Sequence, residues 1–300
     1  MKLAKVLHNP GAGDEEHSKK ELISLMEANG FQCKYSSTKE KGWKEIEPKT
    51  DFLVAAGGDG TVRKVVKKLL DRKVLENTWP IALLPLGTAN NIATTLDITG
   101  TTEEIIQSWQ GAKLKKYDVG RIYKKDDANP IFFLEGVGYG LFPYLMLEMK
   151  KQDKESIENP QMKMQAALEL LHQIVLAYKP RPCELEVDGI NLSGKFLLVE
   201  ILNTRSIGPN LLLAPNADPG DGEFEVVLIP EEHKDRFASY VLDKIRGLEE
   251  SYAFQTFKGK NIRMSWEGTH FHIDDKVHKL TKKAEVRIEL KEGLLDFFVP

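Results

Sequence analysis

The stretch that decides the fold is residues 51–70, which read DFLVAAGGDGTVRKVVKKLL. The apolar run from Phe52 to Ala56 is typical of a strand that is buried on both faces, as in a parallel sheet. After the glycines, apolar residues recur at helical spacing from Val62 to Leu70, which predicts a helix. A strand, a glycine loop and a helix in this order predict one unit of a parallel α/β sheet.

The same order recurs before and after this stretch. Leu3–His8 predicts a first strand, and Ser18 predicts the start of a helix. The apolar run Pro80–Leu86 predicts another strand, followed by a second glycine loop and a short helix. Thr101 then opens one more helix with acidic residues in its first turn. We therefore predict an N-terminal α/β domain over residues 1–115.

Beyond residue 115 the pattern changes to short alternating or apolar segments separated by turns. These segments predict strands at 118–123, 131–134, 184–187, 195–202, 223–229 and 286–290. Such a series favours an antiparallel β-sandwich. Apolar stripes around Leu168 and Val241 predict two inserted helices, and the run Phe142–Met146 fits either core or a groove for a lipid tail. We predict a second domain over residues 116–300, with its last residues able to return to the first domain.

Composition and charge exclude several classes of protein. Lys and Arg number 42 and Asp and Glu 45 in 300 residues, so the net charge of −3 gives no reason to expect a nucleic-acid partner. Cys33 and Cys183 alone cannot form a disulfide framework or a metal cluster. The first residues do not resemble a signal peptide, and no apolar run approaches the roughly 18 residues of a membrane span. We therefore expect a cytoplasmic protein that meets a membrane only peripherally.

The loop Gly57-Gly58-Asp59-Gly60-Thr61 indicates phosphate binding. Its glycines let backbone amides approach phosphate oxygens, and the N-terminus of the following helix favours negative charge. Thr61 can cap that helix and donate to a phosphate, while Asp59 can hold Mg²⁺ through water. The loop lacks the Gly-Lys-Ser/Thr ending of a Walker A motif and the spacing of the dinucleotide fingerprint.

A second loop, Leu84 to Asn91, follows the same logic. It combines a strand end, Gly87 and the hydroxyl of Thr88 just before a helix. Ligands of open α/β sheets bind at the carboxyl ends of the strands, where both loops are expected. Together the loops predict one phosphate-binding edge.

At this point the sequence resembles the diacylglycerol kinase catalytic-domain family of lipid kinases, which includes small bacterial members. The residues that carry the resemblance are Asn9-Pro10 with Gly11 and Gly13, Thr38 with Glu40-Lys41-Gly42, Gly57 to Thr61, Leu84 to Asn91 with Ala93-Thr94, Tyr117-Asp118, Gly136 with Gly138, and Ala214-Pro215-Asn216-Ala217 before Asp221-Gly222. The resemblance implies a nucleotide-binding α/β domain joined to a β-sandwich domain, ATP phosphates between them, and a lipid hydroxyl as acceptor.

The resemblance also implies roles for individual residues. Nucleotide contacts are implied for Asn9, Thr38, Gly57, Gly58, Asp59, Gly60, Thr61, Gly87 and Thr88. A Mg²⁺ network is implied for Asp59, Asn91 and Asp118, and a structural metal for Asp221, where a plain turn is the alternative.

Phosphoryl transfer further needs a carboxylate within about 3 Å of the attacking hydroxyl. Members of the family carry Asp-Gly-Glu after a late strand, with the Asp as general base. The matching stretch here is His272-Ile273-Asp274-Asp275-Lys276, so the resemblance implies Asp274 as the catalytic residue. The alternative is that Asp274 and Asp275 only form a polar turn.

Two departures from the family pattern keep other functions open. Asn91 replaces an acid of the metal network, and Lys276 replaces the Glu of Asp-Gly-Glu. We therefore predict an ATP- and Mg²⁺-dependent lipid kinase, with a non-catalytic nucleotide- or lipid-binding relative as the alternative. An NAD kinase is a weaker one, because NAD kinases share the first loop but not the second. The acceptor lipid and the oligomeric state, a homodimer included, stay open.

Overall fold

The computed structural model describes residues 1–12, 18–71, 78–124, 129–151, 159–248, 252–280 and 283–300. Gly13, one of the residues that carry the resemblance, lies outside them. The chain divides into two compact units, the first being Met1–Tyr117 with Gly293–Pro300 and the second Asp118–Glu292. We propose that these units are the two domains.

The first unit alternates strands and helices. Its elements are β1 (Leu3–His8), α1 (Lys19–Ala28), β2 (Gln32–Ser37), β3 (Phe52–Gly57), α2 (Asp59–Leu70), β4 (Ile81–Pro85), α3 (Asn91–Thr95) and α4 (Thr102–Ser108). Strands β4, β3, β1 and β2 lie side by side in this order and are all parallel. Every residue of β3 is buried, as expected for a strand covered on both faces. The predicted parallel α/β sheet is therefore confirmed.

Hydroxyl side chains begin two of the helices in this unit, as the sequence predicts. Ser18 Oγ accepts the N–H of Glu21 at 3.2 Å. Thr101 and Glu104 form a reciprocal capping box, in which Thr101 Oγ1 accepts the N–H of Glu104 and the Glu104 carboxylate accepts the N–H of Thr101.

The second unit is mostly strands. Its elements are β6 (Ile131–Phe133), β7 (Gly136–Gly140), α5 (Leu141–Met149), α6 (Pro160–Ala177), β8 (Arg181–Val187), β9 (Ile190–Asn191), β10 (Gly194–Leu202), β11 (Ser206–Ile207), β12 (Leu211–Leu212), β13 (Phe224–Pro230), a short 3-10 helix (Glu231–His233), α7 (Lys234–Ile245), β14 (Gln255–Gly259), β15 (Asn261–Trp266), β16 (His270–Ile273) and β17 (Lys276–Lys279). Two further strands, β5 (Lys113–Lys124) and β18 (Glu285–Val299), contribute residues to both units.

Strand β10 organises the second unit. It pairs antiparallel with β13 along one side, and with β8 and then β7 along the other. Leu198 and Leu202 face a core shared with helices α5, α6 and α7, which we call the helix-side core. Val199 and Ile201 face a second core formed by strands alone. The antiparallel β-sandwich predicted from the sequence is therefore confirmed, with the helices covering one side of β10.

Several elements of the second unit were not predicted from the sequence, among them helix α5 and strand β7. The run Phe142–Met146 belongs to α5, where Phe142 and Leu145 lie in the helix-side core and Tyr144 is exposed. Strand β7 reads GVGYG, and three glycines in five residues conceal a strand from propensity alone. Among the described residues, no helix has the length and apolar character required to cross a bilayer.

Candidate active site

The predicted nucleotide contacts of the first unit lie at the carboxyl ends of its parallel strands. Asn9 follows β1, Thr38 follows β2, and the two glycine loops follow β3 and β4. Backbone hydrogen bonds hold these ends together, because the Asn9 N–H donates to Ala56 O at 2.9 Å and the Thr38 N–H donates to His8 O at 2.7 Å. Residues far apart in sequence thus share one edge of the sheet.

The two glycine loops pack directly against each other. A Cβ atom on Gly58 would lie 3.2 Å from the Cα of Gly87, and a Cβ on Gly87 would collide with Gly58 and with the Asn90 side chain. Gly57 adopts a φ of +154° and leaves room for the Thr61 side chain. The glycines therefore permit a close backbone approach between the loops, in addition to any approach of a ligand.

Asp59 joins the first loop to the second. One carboxylate oxygen accepts the N–H of Asn91 at 2.9 Å and the other accepts the N–H of Ile92 at 3.0 Å. These amides belong to the first turn of α3, where a negative charge is favoured. Asp59 thus has a positioning role that sequence reasoning, which assigned it to Mg²⁺, did not foresee. The side chain of Asn91 is buried beside it.

Three threonines of the predicted site differ in their surroundings. Thr61 is buried in the first turn of α2, and Thr88 is exposed. Thr38 is 9% exposed, and its Oγ1 has no hydrogen-bond partner among the residues that the structure describes. Because a buried hydroxyl normally has a partner, Thr38 Oγ1 is suited to bind a ligand.

Two residues of this edge were missed by sequence reasoning. Asn90 adopts a left-handed φ of +52°, and its side chain accepts the N–H of Gly87 and donates to the carbonyls of Pro85 and Gly87. It shapes the second loop. Lys39 places its Nζ against Gly11, where a Cβ atom would lie 2.7 Å from it. The position of Asn90 directly after a glycine loop was a signal that sequence reasoning could have used. Nothing in the sequence indicated Lys39.

The described side chains include no group of three or more His, Cys, Asp or Glu residues that could hold a metal ion. Mg²⁺ is commonly bound by one or two carboxylates together with substrate phosphates and water. Asp59 fits that pattern as a carboxylate that lies at this edge beside both glycine loops. The residues present therefore fit a Mg²⁺ ion that arrives with a nucleotide rather than one caged by protein alone.

In the second unit, Asp118 and Asp221 hold a loop in place. Asp118 Oδ2 accepts the N–H of Gly222 at 2.9 Å, and the Asp118 N–H donates to Pro219 O at 2.5 Å. Asp221 accepts the Lys258 ammonium at 2.8 Å, which raises the pKa of Lys258. Lys258 also lies 3.8 Å from the buried Glu225. A metal ion at Asp221 would compete with this lysine.

Asp274 lies in the two-residue turn between β16 and β17 and is only 7% exposed. Its Oδ1 accepts three backbone N–H groups, from Leu134 at 3.1 Å, Glu135 at 2.9 Å and Gly136 at 3.2 Å. Such donors favour the ionised carboxylate. The neighbouring Asp275 and Lys276 are both exposed.

Asn203, which sequence reasoning also missed, links Asp118 to this turn. Its Nδ2 donates to Asp118 O at 2.9 Å and to Leu134 O at 3.0 Å, while the Leu134 N–H donates to Asp274. Two predicted site residues 156 positions apart in sequence thus share one hydrogen-bond network. Asp221 joins it through the loop that contacts Asp118.

Comparisons with known proteins agree with this architecture. The diacylglycerol kinase from Bacillus subtilis (strain 168) is 25% identical over 262 residues, which cover 82% of this chain and 80% of that protein. The one from Staphylococcus aureus (strain JH9) is 26% identical over 245 residues, covering 77% and 72%. A crystal structure of a diacylglycerol kinase from Bacillus anthracis str. Sterne covers 100% of this chain and 97% of its own, with a TM-score of 0.70 at 21% identity, and shows the same fold.

Family models match both parts of the chain. A model of the diacylglycerol kinase catalytic domain matches residues 4–122, which contain both glycine loops. A model of the YegS C-terminal NAD kinase beta sandwich-like domain matches residues 151–275, which end on the Asp274 turn. The resemblance found in the sequence is thereby confirmed, and residues 4–122 belong to the diacylglycerol kinase catalytic-domain family.

Proposed function

We propose that this protein is a lipid kinase that transfers the γ-phosphate of ATP to a lipid hydroxyl. The observation that carries the proposal is the pair of glycine loops clamped together by Asp59 at the carboxyl ends of the parallel strands. Such an edge, with a helix N-terminus behind it, suits the polyphosphate of a nucleotide. The family relationship supports a lipid as the acceptor.

In this proposal the first unit binds ATP. The glycine backbone and the N-terminal amides of α2 receive phosphate oxygens, and Thr38 Oγ1 gains a hydrogen-bond partner that the described residues do not supply. Mg²⁺ bound with the phosphates would neutralise the charge that develops during transfer. Asp59 is the carboxylate placed to receive that ion while keeping the loops together.

The second unit supplies the base. The lipid hydroxyl oxygen bonds to the γ-phosphorus, the bond from that phosphorus to the β–γ bridging oxygen breaks, and ADP leaves. The hydroxyl proton passes to the Asp274 carboxylate. The three N–H donors at Asp274 fix the position of the carboxylate that accepts this proton.

A specific observation favours a second candidate, a nucleotide-binding protein without transfer. Asp274 is buried and engaged by backbone amides, which is also what a purely structural turn requires, and Lys276 replaces the family's Glu. In that case ATP would bind and no acceptor would be phosphorylated.

The experiment is phosphate transfer from γ-labelled ATP and Mg²⁺ to a total lipid extract in detergent micelles. A labelled lipid would support the kinase, and its chromatographic mobility would identify the acceptor. Binding of Mg-ATP without any labelled lipid would overturn the kinase in favour of the second candidate. No binding of ATP would overturn both.

A matched pair of variants tests the clamp that carries the proposal. Asp59→Asn removes the charge and puts an amide donor against the α3 amides, so we expect ATP affinity to fall at least about tenfold. Asp71→Asn makes the same change at the other end of α2, where Asp71 pairs with Lys67, and should leave affinity unchanged. Equal affinities measured by titration calorimetry would refute the role of Asp59.

A further inference from the structure

A glutamate and a histidine meet in the interior of the second unit, at a place that the proposed mechanism does not use. The strand registers set Glu200 on β10 and His272 on β16 opposite the same residue of β7, Gly138. A Cβ atom on Gly138 would collide with the Glu200 carboxylate. Across this gap His272 Nε2 lies 2.8 Å from Glu200 Oε2.

The other nitrogen of His272 reaches the turn that holds Asp274. His272 Nδ1 lies 3.0 Å from the backbone oxygen of Asp274, so Nδ1 carries a hydrogen that it donates to this carbonyl. One further proton is then shared between Nε2 and Oε2, giving either an imidazolium with a carboxylate or an imidazole with a carboxylic acid. Both forms keep the contact to Asp274.

The turn itself needs restraint. Asp274 has a φ of +48°, a left-handed conformation that costs free energy for residues with a Cβ atom. Its N–H donates to Gly136 O at 2.8 Å and its carboxylate accepts the amides of residues 134–136. The hydrogen bond from His272 restrains the turn further, because it binds the backbone carbonyl of Asp274 itself.

The stability of the fold does not explain this pair. Glu200 is 0% and His272 1% exposed, and the His272 ring lies against Phe142 of the helix-side core. Glu200 Oε1 has no hydrogen-bond partner among the described residues. Burial of such a pair generally costs as much free energy as its attraction returns, and apolar residues of similar size are often as stable. The pair is therefore a candidate for a role in the site.

The charges around the pair support a tightly held proton. Burial raises the pKa of Glu200. Burial also opposes a charged His272, but the Glu200 carboxylate outweighs it and, with the Asp274 carbonyl and carboxylate, raises the pKa of His272. Glu200 and Asp274 are the charged groups that act on the imidazole. Both shifts favour retention of the shared proton.

We propose that Glu200 and His272 are positioning residues that hold the carbonyl of Asp274 and thereby fix the orientation of its carboxylate for proton transfer. The inference rests on the proposed lipid kinase function and adds to it two residues, on the strands either side of β7, that touch no substrate. His272 acts on Asp274 directly, and Glu200 acts through His272.

The activity test uses Glu200→Gln and His272→Gln, with Tyr240→Phe as the matched control. Tyr240 is also buried in the helix-side core, where its hydroxyl accepts the N–H of Leu212 at 2.7 Å, so its loss removes a buried hydrogen bond without touching Asp274. We expect kcat to fall about tenfold in His272→Gln and by less in Glu200→Gln, whose amide can still donate to Nε2, with KM for ATP unchanged in both and neither quantity changed in the control. Unchanged kcat in His272→Gln would overturn the proposal.

A second readout does not depend on activity, so that failure of the kinase function is recognised separately. Amide hydrogen exchange at residues 134–136 reports whether the Asp274 carboxylate still covers their N–H groups. Exchange should accelerate at least tenfold in His272→Gln and not in Tyr240→Phe. An inactive wild-type protein with this exchange pattern would reject the kinase and keep the positioning, whereas identical exchange would reject the positioning.

A double variant, Glu200→Leu with His272→Leu, separates positioning from folding. Because apolar replacement of both partners removes the buried charge, we expect the thermal midpoint to stay within a few degrees of wild type. The positioning role requires that this stable protein still lose kcat and amide protection. A stable double variant with full protection at 134–136 would overturn it.

Discussion

Two hairpins of the second unit turn on an aspartate in the same backbone conformation. Asp188 between β8 and β9 has a φ of +46°, and Asp274 between β16 and β17 has a φ of +48°. Each carboxylate accepts backbone N–H groups from another segment, Lys260 and Asn261 for Asp188 and residues 134–136 for Asp274. Anchoring by a carboxylate is therefore a device that this fold uses more than once.

The two turns differ in burial, in the residue that follows the aspartate and in the contacts of its carbonyl. Asp188 is exposed and is followed by Gly189 with a φ of +84°, the residue type that tight hairpins favour. Asp274 is buried, is followed by an exposed Asp275, and has its carbonyl bound by His272. A hairpin requires only what the Asp188 turn has. The burial and the buried histidine pair at Asp274 are additions that point to a role beyond folding.

The largest effect should separate the two aspartates by activity. Asp274→Asn removes the base and should lower lipid phosphorylation by about 10²- to 10⁴-fold, while Asp188→Asn should leave it within about twofold. Both variants keep an oxygen that accepts backbone amides, so both should fold. Initial rates with labelled ATP and micellar lipid, alongside Mg-ATP binding, make the measurement.

The outcome decides between the candidate functions. Equal rates in the two variants would mean that Asp274 is an anchor like Asp188 and that the base lies elsewhere. Absence of turnover in the wild type, with ATP bound, would favour the nucleotide-binding protein.

The two turns differ in how much of them a sequence can indicate, and the reasons are physical. Asp188-Gly189 is a hairpin signal readable from two adjacent letters. Asp274 was reached only through the family resemblance, because the amides that hold it lie 138 to 140 positions away and no local pattern encodes them. The same limit applies to His272, which sequence reasoning did not assign to the site and which is a buried strand residue bound to Glu200.

In the parallel sheet of the first unit, by contrast, local sequence signals predicted the elements themselves. A strand buried on both faces and a following glycine loop are local signals, so β3 and α2 were predicted almost to their ends. The packing of Gly58 on Gly87 and the clamp by Asp59 are contacts between loops, and periodicity carries no information on them. Sequence therefore predicted which residues form the edge, and the structure was needed to see how they hold one another.

The second prediction concerns the stability of strand β7, which pairs with the strand that leads into the Asp274 turn. Gly138→Ala puts a Cβ atom against the Glu200 carboxylate, and overpacking of a buried site typically costs about 1–3 kcal/mol. The free energy of unfolding from urea titration should fall by that amount, and the Glu200→Leu/His272→Leu background should absorb part of the loss. An unchanged free energy of unfolding would show that Glu200 is free to move.

The third prediction compares the second residues of the two turns. Gly189→Ala forces a Cβ onto a left-handed residue with open space around it, so the cost is conformational and about 1 kcal/mol. Asp275 has no positive φ and is exposed, so Asp275→Ala should change the free energy of unfolding by less than about 0.5 kcal/mol. Equal costs would contradict the difference between the turns.

The smallest effects should have opposite pH dependence at the two turns. Slight burial opposes the charge of Asp188, but the N–H groups of Lys260 and Asn261 outweigh it and lower its pKa. Its contribution is therefore present above the unfolded-state pKa of about 4 and is lost as pH falls through the folded-state value. The raised pKa values of His272 and Glu200 mean that their contribution to the free energy of unfolding is instead lost as pH rises.

Urea midpoints measured across pH test this difference. The midpoint of Asp188→Asn should approach that of wild type below about pH 4, and the midpoint of the Glu200→Leu/His272→Leu variant should rise relative to that of wild type towards pH 9. Parallel pH profiles for the two variants would show that the buried pair does not hold its proton in the folded state.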